Sequence, residues 1–227
     1  MKDEKYFNFP VQLLEGFLID SDTCLKNIRD YAVYAHSQNL ELGSELATMK
    51  SAAAFFGVTL KDILHSYHNG LRLFESVPEK SPKSGISVKI FFNFYETDKS
   101  EFEKVCLLSF LAIKSILQGK AYCKTVNKYL LSRMDGRAKS VSELEELSDE
   151  VRRYGNEYQI KKIKTELRNN WGLVTYSRYT RGFYVSFKLN LEDLVFQAEK
   201  RRKSSLEKQY KQKEREALRM ALEKLEN

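Results

Sequence analysis

At 227 residues, 42% hydrophobic and 12% aromatic, the chain carries enough apolar side chain for a buried core, which excludes a disordered polymer. A formal charge of +7 and a pI near 9.1 favour an anionic partner without naming one. No stretch approaches the roughly 20 apolar residues that a membrane span requires, so the sequence reads as having no membrane-crossing segment.

The elements begin with an apolar stretch over residues 7–19, broken by Pro10 and Gly16, which reads as extended chain followed by a short turn. Asp22 is placed to cap a helix through Leu25, Ile28, Ala32 and Ala35, whose spacing is helical. A second helix is expected from Ser44 to Phe56, with Leu46, Met49, Ala53 and Phe56 inward and Gly57 as its stop. Thr59 with Asp62 forms a reciprocal capping box for a third helix, whose inner face reads as Leu60, Ile63, Leu64, Tyr67, Leu71 and Phe74. Residues 78–84 read as an exposed loop. Ile86 to Tyr95 alternates like a strand, although residues 91–95 also fit a helix start.

Ser100 and Glu103 make a second capping box, opening a helix to about Leu117 with little polar face, as expected of a helix at a core. Next comes a helix over 124–134, stopped by Asp135-Gly136, and then one boxed by Ser142 and Glu145 that ends near Tyr154-Gly155. A basic helix spans Tyr158 to Asn170 and meets Trp171-Gly172. Two strands, Leu173–Ser177 and Phe183–Leu189, follow, with Phe183, Val185, Phe187 and Leu189 pointing inward. From Leu191 to Asn227 there is neither Gly nor Pro, and the tail reads as one long helix with apolar ends and a polar middle.

Charge divides the chain into three parts. Residues 1–98 carry a net −3, residues 99–190 a net +8, and residues 191–227 a net +2. The expected units are therefore an N-terminal helical domain, a basic domain and a basic helical tail. Between Val151 and Lys188 nine basic side chains face only Glu157 and Glu166. On the helix in this stretch, Ile160, Ile163 and Leu167 form one apolar stripe. At about 100° per residue, Tyr158, Lys161, Lys162, Thr165 and Asn169 point the opposite way, with Lys164 and Arg168 at the flank. Lys, Arg and Asn on such a face can donate to base edges or grip phosphate. The turn between the strands holds Arg178, Tyr179 and Arg181, long side chains where a hairpin built for stability alone would favour Asn-Gly. The candidate nucleic-acid-binding set is therefore Tyr158, Lys161, Lys162, Lys164, Thr165, Arg168, Asn169, Arg178, Tyr179 and Arg181.

Leu167, Trp171, Gly172, Leu173 and Val174, followed by Arg181 to Val185, resemble the junction between recognition helix and wing in winged-helix proteins. The resemblance covers about residues 99–190. Two such domains in tandem, followed by a basic helix, are similar to the replication initiators of plasmids and related mobile elements. What the resemblance implies is a mainly α fold with small β-hairpins, tandem winged-helix-like domains and a long C-terminal helix. It also implies binding of double-stranded DNA in replication or transcription.

Other chemistry is thinly represented. His65 and His68 are spaced as metal ligands could be, yet no cysteine or carboxylate completes a set, and they read as partly exposed helix histidines. No phosphate-binding glycine loop of the ATPase type is present, nor a nucleophile elbow. The acids at 143, 145, 146, 149 and 150 read as a solvated, dipole-favoured helix face. No enzyme activity, cofactor or metal is expected. The alternatives are a protein-interaction scaffold whose basic face meets an acidic partner, and a nuclease built from scattered carboxylates. The tail, with Lys200 to Lys203, suits either phosphate or homodimer packing. Cys24, Cys106 and Cys123, far apart and without a CxxC pair, read as buried free thiols in a reducing, cytoplasmic setting.

Overall fold

The computed structural model describes residues 4–38, 40, 44–178 and 182–225, with side chains described as far as residue 219. Among the described residues the chain is mainly helical, 65% of them, with two small antiparallel sheets. No described helix is long and apolar enough to cross a membrane.

The first half starts with strand β1 (Tyr6–Pro10) and a 3-10 turn (Val11–Leu14). Three helices follow, α1 (Ser21–Gln38), α2 (Glu45–Phe56) and α3 (Leu60–Ser76), then strand β2 (Lys83–Ser87) and helix α4 (Val88–Glu96). β1 and β2 pair antiparallel, Tyr6 opposite Ser87 and Pro10 opposite Lys83. The Thr59–Asp62 capping box forms as expected, and Gly57 closes α2 in the left-handed region at φ 70°.

Several expectations for this half are corrected. Asp20, not Asp22, caps α1: its Oδ1 accepts the Thr23 N–H at 3.0 Å, which holds the Asp20 carboxyl below its ordinary value. Leu46 and Leu64 are exposed, and Phe74 is only partly covered, by Tyr31 and Tyr34. Ile63 is buried as expected, and the buried face of α3 continues through Ser66 and Gly70, where α1 lies so close that a Cβ at Gly70 would stand 2.2 Å from the Asp30 carbonyl oxygen. The segment read as one strand from Ile86 to Tyr95 splits at Ser87. That side chain accepts the Ile90 N–H and caps α4, so only the residues that pair with β1 are extended.

The second half comprises α5 (Glu101–Leu117), β3 (Cys123–Thr125), α6 (Asn127–Met134), a 3-10 turn (Leu144–Glu146) and α7 (Asp149–Arg152). It continues with α8 (Glu157–Asn170), β4 (Val174–Tyr176), β5 (Phe183–Ser186) and α9 (Leu191–Leu225). The three strands form one antiparallel sheet in the order β3-β5-β4. Ser100 and Glu103 box α5 as expected, and Val105 to Ile113 are buried all round. Ser84 Oγ donates to the Leu111 carbonyl at 2.7 Å, tying β2 to α5. One hydrophobic core runs from Phe7 to Val185.

Here too the structure revises the reading. Cys123 and Lys124 belong to a strand, and α6 begins only at Asn127. The capping box expected at Ser142 and Glu145 is displaced. Glu146 reaches back to the N–H groups of Ser142 and Glu143, and the segment makes a 3-10 turn and one turn of α7. The second strand ends at Ser186, whose hydroxyl accepts the Lys188 and Leu189 N–H groups and turns the chain away. Cys24 and Cys106 are buried, with thiols pushed up by burial to about 11 and about 12, whereas Cys123 is only half-buried. Leu191, expected to pack, is largely exposed. Leu194 and Ala198, at the same apolar end, are buried as expected where α9 crosses β4 and β5.

Candidate nucleic-acid interface

The basic helix α8 begins at Asn156, whose side-chain oxygen accepts the Gln159 N–H at 2.9 Å. It ends at Gly172 (φ 68°), where the Leu173 N–H folds back onto the Leu167 carbonyl at 3.1 Å. Ile160, Ile163 and Leu167 are at most 3% exposed, so the apolar stripe fixes which side of the helix faces out. That outer side is as expected: Tyr158, Lys161, Lys162, Arg168 and Asn169 are exposed, and Thr165 is half-buried. The Lys162 ammonium lies 4.3 Å from the centre of the Phe102 ring, and Arg168 donates to Thr165 Oγ1 at 3.0 Å. Trp171 packs against Phe94 and Phe110, closing the core at the helix end.

Lys164, at the flank of this face, is drawn against the hairpin by folding. Its Nζ lies 3.3 Å from the centre of the Phe183 ring and donates to Asn127 Oδ1 at 3.0 Å. Burial, with Arg168 adding repulsion, pushes its pKa down from 10.5 to about 8. The unfolded chain therefore holds more protons than the folded one between about pH 8 and pH 10.5, and folding is favoured as the pH rises through that window. Lys164→Met is expected to remove that rise, read as the difference in urea midpoint between variant and parent across the window. Identical pH profiles would mean that Lys164 is ordinarily solvated.

The hairpin after α8 presents two faces. Successive strand residues point to opposite sides of a sheet. Phe183 and Val185 enter the core, whereas Tyr184 lies on the outer side, opposite Tyr176 and Lys124 in register. On the inner side a groove of about 310 Å³ is lined by Asn127, Lys164, Thr175, Ser177 and Phe183. Gly182 (φ 94°) lines this groove, and a Cβ there would meet the Thr125 carbonyl at 2.5 Å.

Arg178, expected to sit free on a wing, is bound to α9. It donates to Glu199 Oε2 at 2.9 Å, Tyr176 donates to Oε1 of the same carboxylate at 2.9 Å, and Arg202 pairs with it at 3.1 Å. The Tyr176 hydroxyl and Arg178 hold the Glu199 carboxyl below its ordinary value. Tyr179 and Arg181 lie outside the described residues.

Sequence reading missed Asn127, Lys124 and Glu199, which stand far from α8 along the chain and carry no local signature. His65 and His68 are exposed on α3, and His36 stacks on Phe55 at 4.1 Å. Among the described residues no three His, Cys, Asp or Glu side chains gather as metal ligands would. No protein-family model, curated protein or solved structure matches this chain.

Proposed function

We propose that the chain is a non-enzymatic, cytoplasmic protein that binds double-stranded DNA through a winged helix-turn-helix spanning residues 99–190. In this reading α8 is the recognition helix and the β4–β5 hairpin is the wing. The observation that carries it is the outer face of α8, where Lys161, Lys162, Arg168 and Asn169 stand exposed together opposite a wholly buried stripe. The element order α5, β3, α6, α8, β4, β5 and the sheet order β3-β5-β4 support it, since a winged helix is built in that sequence. The 3-10 turn and α7 are then an insertion between its second and third helices. The three-helix arrangement of α1, α2 and α3 beside a two-stranded sheet supports a second, divergent copy in the first half. The role that suits this layout is replication initiation or transcriptional control on a mobile element.

A fluorescence anisotropy titration against random-sequence duplex, repeated over a range of salt, tests the reading. Four phosphate contacts from Lys161, Lys162, Lys164 and Arg168 contribute about −3 to −4 to the slope of log K against log salt. Absence of binding at low salt, or a flat salt response, would refute it.

A further inference from the structure

The outer side of the hairpin carries a second groove that α8 does not touch. Helix α9 crosses the outer faces of β4 and β5 and leaves a cleft of about 260 Å³ beside them. Lys124 enters from β3, Tyr184 from β5, and Arg201, Arg202 and Ser205 from α9. The acid present, Glu199, is already committed to Tyr176, Arg178 and Arg202. Lys124 and Arg201 are exposed, and no described carboxylate bonds either of them. The cleft thus has surplus positive charge, an arginine fork suited to bidentate phosphate, and nearby hydroxyls that donate to anionic oxygen.

Its position narrows the ligand. Gly182 lines this cleft and the Lys164 groove alike, so the start of β5 has a cationic slot on either flank. A wing lowered into a minor groove meets a phosphate backbone on each side, because that groove is only about 6 Å wide. In that pose the Lys164 slot would face one backbone and the Lys124–Arg201 slot the other. Beyond the cleft, α9 carries eight cations against Glu207 and Glu214 between Lys200 and Arg215, and all of these residues are exposed. At about 1.5 Å per residue this stretch extends the positive surface by roughly 24 Å. Self-pairing of so one-sided a charge in parallel register is repulsive, whereas a polyanion is attracted to it.

We propose that the cleft between the sheet and α9 is a second phosphate-binding surface, in which Lys124 and Arg201 grip duplex DNA on the flank of the hairpin away from α8. This rests on the DNA-binding reading above, and the test separates the two. In the full chain, Lys124→Gln with Arg201→Gln is expected to lower affinity for random duplex about tenfold. The salt slope should become less steep by about 2, since each lost phosphate contact removes nearly one unit. The charge-keeping pair Lys124→Arg with Arg201→Lys should restore the slope, which a merely structural role would not require. Hydroxyl-radical footprinting should show protection lost on one flank of the site only. If the Gln pair leaves the slope unchanged while loss of cations on α8 reduces it, this inference fails and the DNA-binding reading stands. If neither set of cations alters the slope, the reading itself fails. Competition by polyglutamate as effective as that by duplex would overturn the assignment to phosphate.

Discussion

Lys161→Ala combined with Arg168→Ala is expected to leave the fold intact and weaken duplex binding about 100-fold. Both side chains are exposed and off the buried stripe of Ile160, Ile163 and Leu167, so neither fills the core. The bond lost with Arg168 is to Thr165 on the same exposed turn, and surface changes of this kind stay within about 0.5 kcal/mol. In binding, each cation that reaches a base edge or phosphate is worth about 1–3 kcal/mol, and two together give the factor stated. The salt slope should become less steep by about 2. Removing Arg168 also removes a repulsion on Lys164, whose pKa should rise from about 8 toward its ordinary value, partly offsetting the loss at alkaline pH. Anisotropy titrations at several salt concentrations, alongside thermal melts, read all of this. Wild-type affinity and slope in the double variant would show that α8 is not the recognition helix.

Gly70→Ala should destabilise the first half strongly. Alanine is the better helix former by about 1 kcal/mol, so propensity alone predicts stabilisation. Packing reverses the sign. A Cβ at Gly70 stands 2.2 Å from the Asp30 carbonyl oxygen and 2.8 Å from Tyr34 Cβ, and a helix carbonyl cannot rotate aside. α1 and α3 must separate, which disturbs the bond from Asn69 Nδ2 to Asp30 Oδ2 and the Tyr34 contacts with Tyr67 and Phe74. Asp30 is fully buried, so loosening its partners adds to the cost. Overpacking of this kind costs about 1–3 kcal/mol, and at this chain length each kcal/mol lowers Tm by about 2–4 °C. A melt showing Tm unchanged or raised would mean that the two helices do not approach there.

The sequence by itself determined the features governed by neighbours within one or two turns. The capping boxes at Thr59–Asp62 and Ser100–Glu103, the helix stop at Gly57, and the buried stripe of α8 were all legible. Each depends on bonds or spacing between residues only a few positions apart. The outer face of α8 was legible for the same reason, because once the stripe is fixed, helical geometry fixes the opposite side.

Tertiary structure decided the rest. Cys123 to Thr125 has no strand pattern of its own and becomes extended only by pairing with Phe183 to Val185, some 60 residues on. Ile86 to Tyr95 carries both strand and helix signals, and β1 selects the boundary by pairing as far as Ser87. Leu64 and Phe74 look like core on a helical wheel. Leu64 stays exposed because α1 packs on the side of α3 where Gly70 permits close approach, and Phe74 meets Tyr31 and Tyr34 of α1 with one side of its ring while the other stays open. The hairpin arginine Arg178 reads as a free cation until α9 folds back over the sheet and presents Glu199 to it. Strand pairing, close helix packing and ion pairs between distant segments depend on which surfaces meet in space. Hydrophobic period and local capping carry no record of that meeting.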